Sequence, residues 1–184
     1  DTYVLDDNIN GYTCIWDNGG VDTISAKNKT EDVIIDLRNA SLENDFGGGG
    51  FVSRYGDTNN GYTIAFNSTG NCIIENAIGG KGSDDLLGNN SNNVLSGQNG
   101  DDTINGGEGN DKLYGGDGID TAVFSSRGNR VDLRNRNSQD TKDGNDILRG
   151  IENIKAGSGD DTLYGNNSNN VLSGQNGDDT INGG

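Results

Sequence analysis

Acidic residues in this chain recur in phase with glycines. From Gly79 the sequence divides into nines: GGKGSDDLL, GNNSNNVLS, GQNGDDTIN, GGEGNDKLY and GGDGIDTAV. From Ala156 the same division gives AGSGDDTLY, GNNSNNVLS and GQNGDDTIN, followed by Gly183-Gly184. The shared pattern is Gly-Gly-x-Gly-x-Asp-x-U-x, where U is a large apolar residue. Glycine permits φ > 0 and close backbone approach, so the carbonyls of such a turn can face a common centre. The Asp at position six adds a carboxylate. That donor set is oxygen alone. Calcium takes six to eight oxygens, carbonyls among them, whereas zinc asks for nitrogen or sulfur and magnesium for a stricter octahedron. There is no histidine, and Cys14 and Cys72 have no metal-type spacing. One such Asp or Gly would read as an ordinary turn residue. Several in phase point to calcium.

Positioning these oxygens requires a turn and a short strand per nonapeptide. Neighbouring strand side chains alternate faces, so the apolar residue at position eight turns inward. Two nonapeptides make one coil, with a half-turn on each side. Coils stack at about 4.8 Å, the ordinary strand spacing, which places calcium between turns eighteen residues apart. The expected fold is all-β: a right-handed parallel β-roll, or β-solenoid, with flanking sandwich-like or hairpin strands. Residues 1–78 read as an N-terminal β-strand segment, 79–124 as a first calcium roll, 125–155 as an inter-array β segment and 156–184 as a second roll. Tyr3-Val4-Leu5 and Tyr12 to Trp16 flank Asn10-Gly11, a hairpin signal. Val33 to Leu37, Tyr62 to Phe66 and Val131 to Leu133 are further strand candidates, and no amphipathic helix is evident. The arrays are copies of one another: Gly88 to Gly107 is identical to Gly165 to Gly184, and Ile74-Glu75-Asn76 returns as Ile151-Glu152-Asn153. Asp22-Thr23 returns as Asp120-Thr121. The second array stops in mid-turn and the chain opens at Asp1, so it reads as a piece of a longer protein whose last coil is incomplete.

The formal net charge is −16, and the chain contains no basic patch to offset it. Such a molecule repels nucleic acid. No apolar run is long enough to span a membrane. Gly, Asp and Asn form nearly half of the chain, and 29% of it is hydrophobic, so burial alone supplies little of the stability. Two lookalikes are set aside. Asp6 to Asp17 mimics an EF-hand loop but has Asp rather than Glu in its last place and strand residues around it. The pairs Asp84-Asp85, Asp101-Asp102, Asp160-Asp161 and Asp178-Asp179 could suggest acid-base catalysis. Adjacent residues of an extended chain face opposite ways, so a pair cannot share a proton. The chain is not expected to be an enzyme by itself. Trp16 and Thr121 to Phe124 read as core.

These nonapeptides closely resemble the RTX, or hemolysin-type, repeats of bacterial proteins exported by type I secretion. Ile15-Trp16-Asp17-Asn18-Gly19-Gly20-Val21-Asp22-Thr23 resembles the leading segment of the serralysin C-terminal domain. Ile74 to Gly80 resembles that domain's join to its first roll turn. The likeness covers most of residues 12–124, and the histidine motif of the serralysin protease domain is absent. The resemblance implies the ligand sets. Gly80, Gly82 and Asp84 would share a calcium with Gly97, Asn99 and Asp102. Gln98, Gly100 and Asp102 would share one with Gly115, Asp117 and Asp120. Gly157, Gly159 and Asp161 would pair with Gly174, Asn176 and Asp179. Asn89, Ser91 and Asn93 would face Gly106, Glu108 and Asp111, a set with one carboxylate fewer. Two leading sites are implied, one of Asp17, Gly19 and Asp22, the other of Gly20 and Asp22 with the Ile73 carbonyl and the Glu75 carboxylate. The Asp22–Glu75 site would bring Cys14 and Cys72 close, as a disulfide or as two thiols.

The function so implied is a secreted or cell-surface calcium module that folds on export and supports type I secretion and the stability of a larger extracellular protein. Its partners would be calcium ions and the type I machinery, with neither nucleic acid nor membrane insertion, and with end-to-end self-association at the open coil. Two alternatives stand beside it. One is a module of a surface adhesin, which an exposed aromatic patch near Tyr55, Tyr62 and Phe66 would favour. The other is the non-catalytic tail of a serralysin-like protease.

Overall fold

The computed structural model describes residues 1–5, 11–39, 53–56, 61–64 and 72–184. Among them every regular element is a strand and none is a helix. The strands are mostly three to six residues long, because each nonapeptide spends its glycines on a turn. They alternate along the chain between two sheets. One sheet joins Thr2–Val4, Thr23–Ser25, Asn76–Ile78, Val94–Asn99, Lys112–Asp117 and Asn145–Arg149, all through parallel pairs. The other joins Val33–Asp36, Asp85–Leu87, Thr103–Asn105, Thr121–Val123, Asn153–Lys155 and Leu172–Ser173, again in parallel. A third sheet stacks Arg130–Asp132, Thr162–Tyr164 and Thr180–Asn182.

Within the arrays each strand pairs with the one two nonapeptides on: Asn76 with Val94, Val94 with Lys112, Thr103 with Thr121, and Thr162 with Thr180. Between arrays the same pairing spans longer insertions, as in Lys112 with Ile147 and Thr121 with Asn153. Among the described residues, antiparallel pairing is confined to two places. Val33–Asp36, Ser53–Tyr55 and Gly61–Ile64 form a meander, and Gln139–Asp140 folds back on Asn145–Arg149.

The core is one file of aliphatic side chains between the sheets. Leu86, Leu95, Ile104, Leu113, Ala122, Ile154 and Leu163 are all essentially buried. Each holds position eight of its turn or the stacked equivalent, and its neighbours at seven and nine face outward. Ala122 and Phe124 are buried as expected.

Two expectations are corrected. Thr2–Val4 and Tyr12–Ile15 do not form a hairpin; the first pairs with Thr23–Ser25 and the second with Gly61–Ile64, both in parallel. Gly11 does adopt a turn-type φ of 75°. A hairpin would put both strands in one sheet, whereas this stack sends successive strands to opposite sheets. Trp16 is not core: it is 67% exposed, while its neighbours Ile15 and Asp17 face inward. Cys14 and Cys72 are unbonded. Cys14 faces solvent; the Cys72 thiol is buried on the inner side, 3.6 Å from the Ile15 carbonyl, and accepts the Asp17 N–H at 3.3 Å. The proposed EF-hand-like loop lies partly outside the described residues, and the flanking elements that are described are strands.

Burial here depends on having a coil on each side, and the duplicated segments test this. Ile104 is fully buried, while Ile181, its counterpart in the identical copy, is 48% exposed. Ile104→Ala should cost about 2–5 kcal/mol, as for a filled core site, and Ile181→Ala less than about 1 kcal/mol. Chemical denaturation of both variants in saturating calcium measures the difference; equal losses would contradict the stacking.

Candidate metal centres

Each turn hands a hydrogen bond to the turn stacked on it. The Asp84 N–H donates to Asp102 Oδ1 at 2.8 Å, and the Asp102 N–H donates to Asp120 Oδ1 at 2.9 Å. At the start of this file the Val33 N–H donates to Asp84 Oδ1, and at its far end the Asp120 N–H donates to Glu152 Oε2. A second file runs along the other edge. There the Asn93 N–H donates to Asp111 Oδ1 and the Asp111 N–H to Asp146 Oδ1, each at 2.8 Å. Further on, the Asn129 N–H reaches Asp161 Oδ1 and the Asp161 N–H reaches Asp179 Oδ1. The position-six side chain of one coil thus caps the backbone of the coil before it.

That arrangement engages one carboxylate oxygen and leaves the other. Oδ2 of Asp22, Asp102, Asp120 and Asp161 is buried and accepts no hydrogen bond. A buried, unpaired carboxylate oxygen is costly unless a cation or donor meets it. Glycine makes room for it. A Cβ at Gly97 would collide with Asp102 Oδ2, and one at Gly79 with both Asp84 Oδ2 and the Gly97 carbonyl. Carbonyls converge on the same gaps. Gly100 has φ +111°, and a Cβ there would strike the Gly82 carbonyl oxygen of the coil before. Gln98 holds a φ of 84° without being glycine.

The sequence-predicted sets come together as follows. Gly80, Gly82, Asp84, Gly97, Asn99 and Asp102 lie on facing turns; the Asn99 N–H donates to the Gly80 carbonyl at 3.3 Å and the Gly80 N–H to Asp84 Oδ2 at 2.6 Å. Gln98, Gly100, Asp102, Gly115, Asp117 and Asp120 are likewise adjacent, with Gln98 and Asn99 paired to Gly116 and Asp117. Gly157, Gly159 and Asp161 face Gly174, Asn176 and Asp179, and the Gly159 N–H donates to the Asn176 carbonyl at 2.9 Å. The Asn89, Ser91 and Asn93 turn stacks on Gly106, Glu108 and Asp111, but its amides are engaged: Asn93 Nδ2 donates to the Glu75 carbonyl at 3.0 Å. The exposed Glu108 side chain pairs with Arg127. In the leading segment the Asp22 N–H donates to Glu75 Oε2 at 2.8 Å, and the Gly19 N–H to Asp17 Oδ2 at 2.6 Å. Carboxylate oxygens of Asp17 and Asp22 lie within 4.8 Å of each other and of Asp1, which sequence reasoning had not included. Gly20 precedes this cluster with φ 139°, and Ile73 sits two residues before Glu75. In three of the Asp-Asp pairs one member is buried and the other exposed, so the two do not share a face.

Two acids besides Asp1 were missed. Asp146 stands in the position-six place, and Thr141 to Arg149 (TKDGNDILR) is a degenerate nonapeptide with Gly, Asp and Leu in phase at 144, 146 and 148. Its Lys142 has a positive φ of 77°, and Gln98 at the same place has one of 84°. Glu152 is the other; the return of Ile-Glu-Asn and of Asp-Thr was the available signal.

A family model for the RTX calcium-binding nonapeptide repeat matches in four copies, over residues 78–113, 87–122 and 151–184. The chain carries RTX calcium-binding nonapeptide repeats. Its repeats bind calcium, and several copies imply several ions. Comparison with the curated proteins gives no match. The RTX repeats are a non-catalytic calcium-binding family. No helix among the described residues is long and apolar enough to cross a membrane.

Burial and neighbouring acids push Asp102 and Asp111 up to about 7 and Asp120 up to about 6, from an ordinary 3.8. Burial is the larger cause in each. The metal-free fold therefore holds protons that the unfolded chain releases. Its stability is fully present below about pH 4 and is lost as pH rises through about 7. In chelator, circular dichroism should show more strand at pH 5 than at pH 8. Protons and calcium both neutralise these carboxylates in the folded chain, so less calcium should be needed for half-folding at pH 5 than at pH 7. A pH-independent signal in chelator would contradict the buried carboxylates.

Proposed function

We propose that this chain is a secreted module that calcium folds into a right-handed parallel β-roll, and that it supports export and stability of a larger extracellular protein. The observation that carries this is the stacking of buried position-six carboxylates, among which Asp102, Asp120 and Asp161 each keep an oxygen that meets no donor. Without metal these acids repel one another across the stack. Calcium binds the coiled form and not the open one, so it draws folding forward by mass action. Millimolar calcium, the range to which extracellular modules are tuned, is sufficient for such sites.

The facing turns support the ligand sets set out from sequence, with carbonyls of one turn and carboxylates of two holding each ion. The four sequence segments then act as sections of one stack, since parallel pairs run from the N-terminal strands through both arrays. Proteins with these repeats are typically secreted by bacteria. A loose acidic chain that folds only outside suits passage through a type I exporter, and folding there opposes its return. The outer edge of Thr180–Asn182 meets no strand among the described residues, which favours addition of a further coil, from the same chain or a second copy. The serralysin-like tail is one form of this reading. The adhesin reading draws no support from the aromatics, because Tyr55 and Tyr62 pack against the core and Phe66 lies outside the described residues.

Circular dichroism should show mostly coil in chelator at neutral pH and strand on addition of calcium. Asp102→Ala should raise the calcium needed for half-folding at least several-fold, and the exposed Asp101→Ala should leave it nearly unchanged. A folded spectrum in chelator, or equal effects of the two substitutions, would sink the mechanism.

A further inference from the structure

The duplicated residues are not arranged alike in their two settings. In the first unit the Asn89 amide closes a gap: its Nδ2 donates to the Leu37 carbonyl at 3.1 Å and to the Ile74 carbonyl at 2.9 Å. Asn166 is the same residue in the identical copy, and Leu133 and Ile151 are the counterparts of Leu37 and Ile74. There the amide makes neither bond. Asn166 Oδ1 accepts the Ser168 N–H at 2.8 Å and Asn170 Nδ2 at 3.2 Å, while Asn166 Nδ2 meets no acceptor among the described residues. The gap stays open as a hollow of about 90 Å³ bordered by Leu133, Ile151 and Asn166. Leu133, Asn166 and Ser168 also line an adjoining groove of about 380 Å³. That size falls within the roughly 300–1,000 Å³ of small-molecule sites.

Two arginines stand at this opening. Arg136 follows the strand Arg130–Asp132 of the third sheet, and Arg149 ends the strand Asn145–Arg149 of the first, so it is the stack that brings them together. Both are exposed, and neither guanidinium has an ion pair or hydrogen bond among the described residues. Neither belongs to the duplicated pattern. Aligned on Asp-Leu-Arg-Asn, Arg136 stands where the first unit has Ala40; aligned on Ile-Glu-Asn, Arg149 stands where it has Cys72. Arg134, on the groove wall, is engaged otherwise: Asp132 holds it at 2.8 Å and 2.7 Å, 4.7 Å above the Tyr164 ring. Glu152 is the one acid on the lining, and its Oε2 accepts the Asp120 N–H at 3.0 Å. The other walls are uncharged, with Leu133, Leu148 and Ile151 buried beneath.

A guanidinium presents a planar fork of N–H donors that matches a carboxylate in bidentate fashion. Two unengaged forks at one groove favour an anion there, even on a chain of net charge −16. Salt screens the more distant acids beyond a Debye length of about 8 Å, so the local contacts decide. A long polyanion would lie across the acidic turns and be repelled, which leaves a small anion as the fitting ligand. Asn166 Nδ2 and the Ser168 hydroxyl suit hydroxyl groups beside that anion; a bare inorganic ion would leave both unused. We infer that the groove binds a small carboxylate that carries hydroxyl groups, an acidic monosaccharide unit. Arg136 and Arg149 take its carboxylate, and Asn166 and Ser168 take its hydroxyls. This ligand chemistry differs from that of the calcium turns, and the first unit has no such opening at Asn89.

The test uses the whole chain, folded in saturating calcium and titrated with glucuronate while NMR follows the arginine and asparagine side-chain N–H signals. Glucose is the neutral control and acetate the bare carboxylate. Glucuronate should move the signals of Arg136, Arg149 and Asn166 to a plateau, and glucose should move none of them. Acetate should bind more weakly by about ten-fold or more. Arg136→Gln combined with Arg149→Gln should weaken glucuronate binding by about ten-fold or more. Lys27→Gln combined with Lys112→Gln removes the same charge outside the groove and should change it by less than about two-fold. Equal losses in the two double variants, acetate binding as tight as glucuronate, or shifts confined to the calcium turns would each overturn the site. Should the arginine variant fail to fold, the natural chain decides: unmoved Arg136 and Arg149 signals at the highest glucuronate concentration overturn the proposal.

Discussion

Asp102, Asp120 and Asp161 each have two obligations that their own turns cannot meet. One oxygen receives a backbone N–H from the preceding coil, as Asp102 Oδ1 does from Asp84 and Asp120 Oδ1 from Asp102. The other is buried and has no donor at Asp22, Asp102, Asp120 and Asp161. In most proteins a buried acid of this kind is neutralised by a proton or by Arg or Lys. Here the neighbours at each gap are carbonyl oxygens and further acids. The stack of turns can therefore form as charged carboxylates only when a cation fills the gaps. The rest of the architecture follows from that condition, including the glycines that leave space beside each oxygen and the thin single-file core.

Places where the repeat is broken show which part of the condition is essential. The backbone-capping hydrogen bond persists where the acid changes its length or its place in the frame. Glu75 and Glu152 make it with a longer side chain, Asp146 makes it beyond an insertion, and at Asn93 the backbone N–H still gives it to Asp111 while the Asn93 side chain turns to the Glu75 carbonyl. What changes is how the gap is filled. At Asn93 and Asn170 an amide group donates to the carbonyl of Glu75 or Glu152, so a neutral hydrogen bond stands where other turns present bare oxygen. At Glu152 the longer carboxylate goes with a turn three residues shorter than the one from Gly115 to Thr121. The chain thus keeps one vertical contact constant while its loops vary around it.

Much of this was legible in the sequence, because the nonapeptide encodes it locally. The residue at position eight becomes core, the residue at six becomes the inward acid, and the members of most Asp-Asp pairs part to opposite faces. Val33–Asp36 and Arg130–Asp132 were visible as β-branched or alternating runs. The local signals that misled were those whose meaning depends on a distant partner. Asn10-Gly11 can turn a hairpin, but parallel partners for both flanking strands were available elsewhere. Trp16 looks like core by type and ends outside because Ile15 and Asp17 take the inner side. Asp146 and Glu152 were hidden because their turns depart from the nine-residue frame.

The duplicated segment separates the two kinds of information. Gly88 to Gly107 and Gly165 to Gly184 are the same twenty residues, and both form a strand at Thr-Ile-Asn. The sequence alone determined that strand, its turn and which side chain points inward, since those follow from glycine freedom and the two-residue alternation of an extended chain. Yet Ile104 is buried and Ile181 is half exposed, Leu95 is buried and Leu172 only partly so. Only the tertiary structure decided that, because in a stack a side chain is enclosed by the coils above and below it, and no stretch of sequence contains its own neighbours.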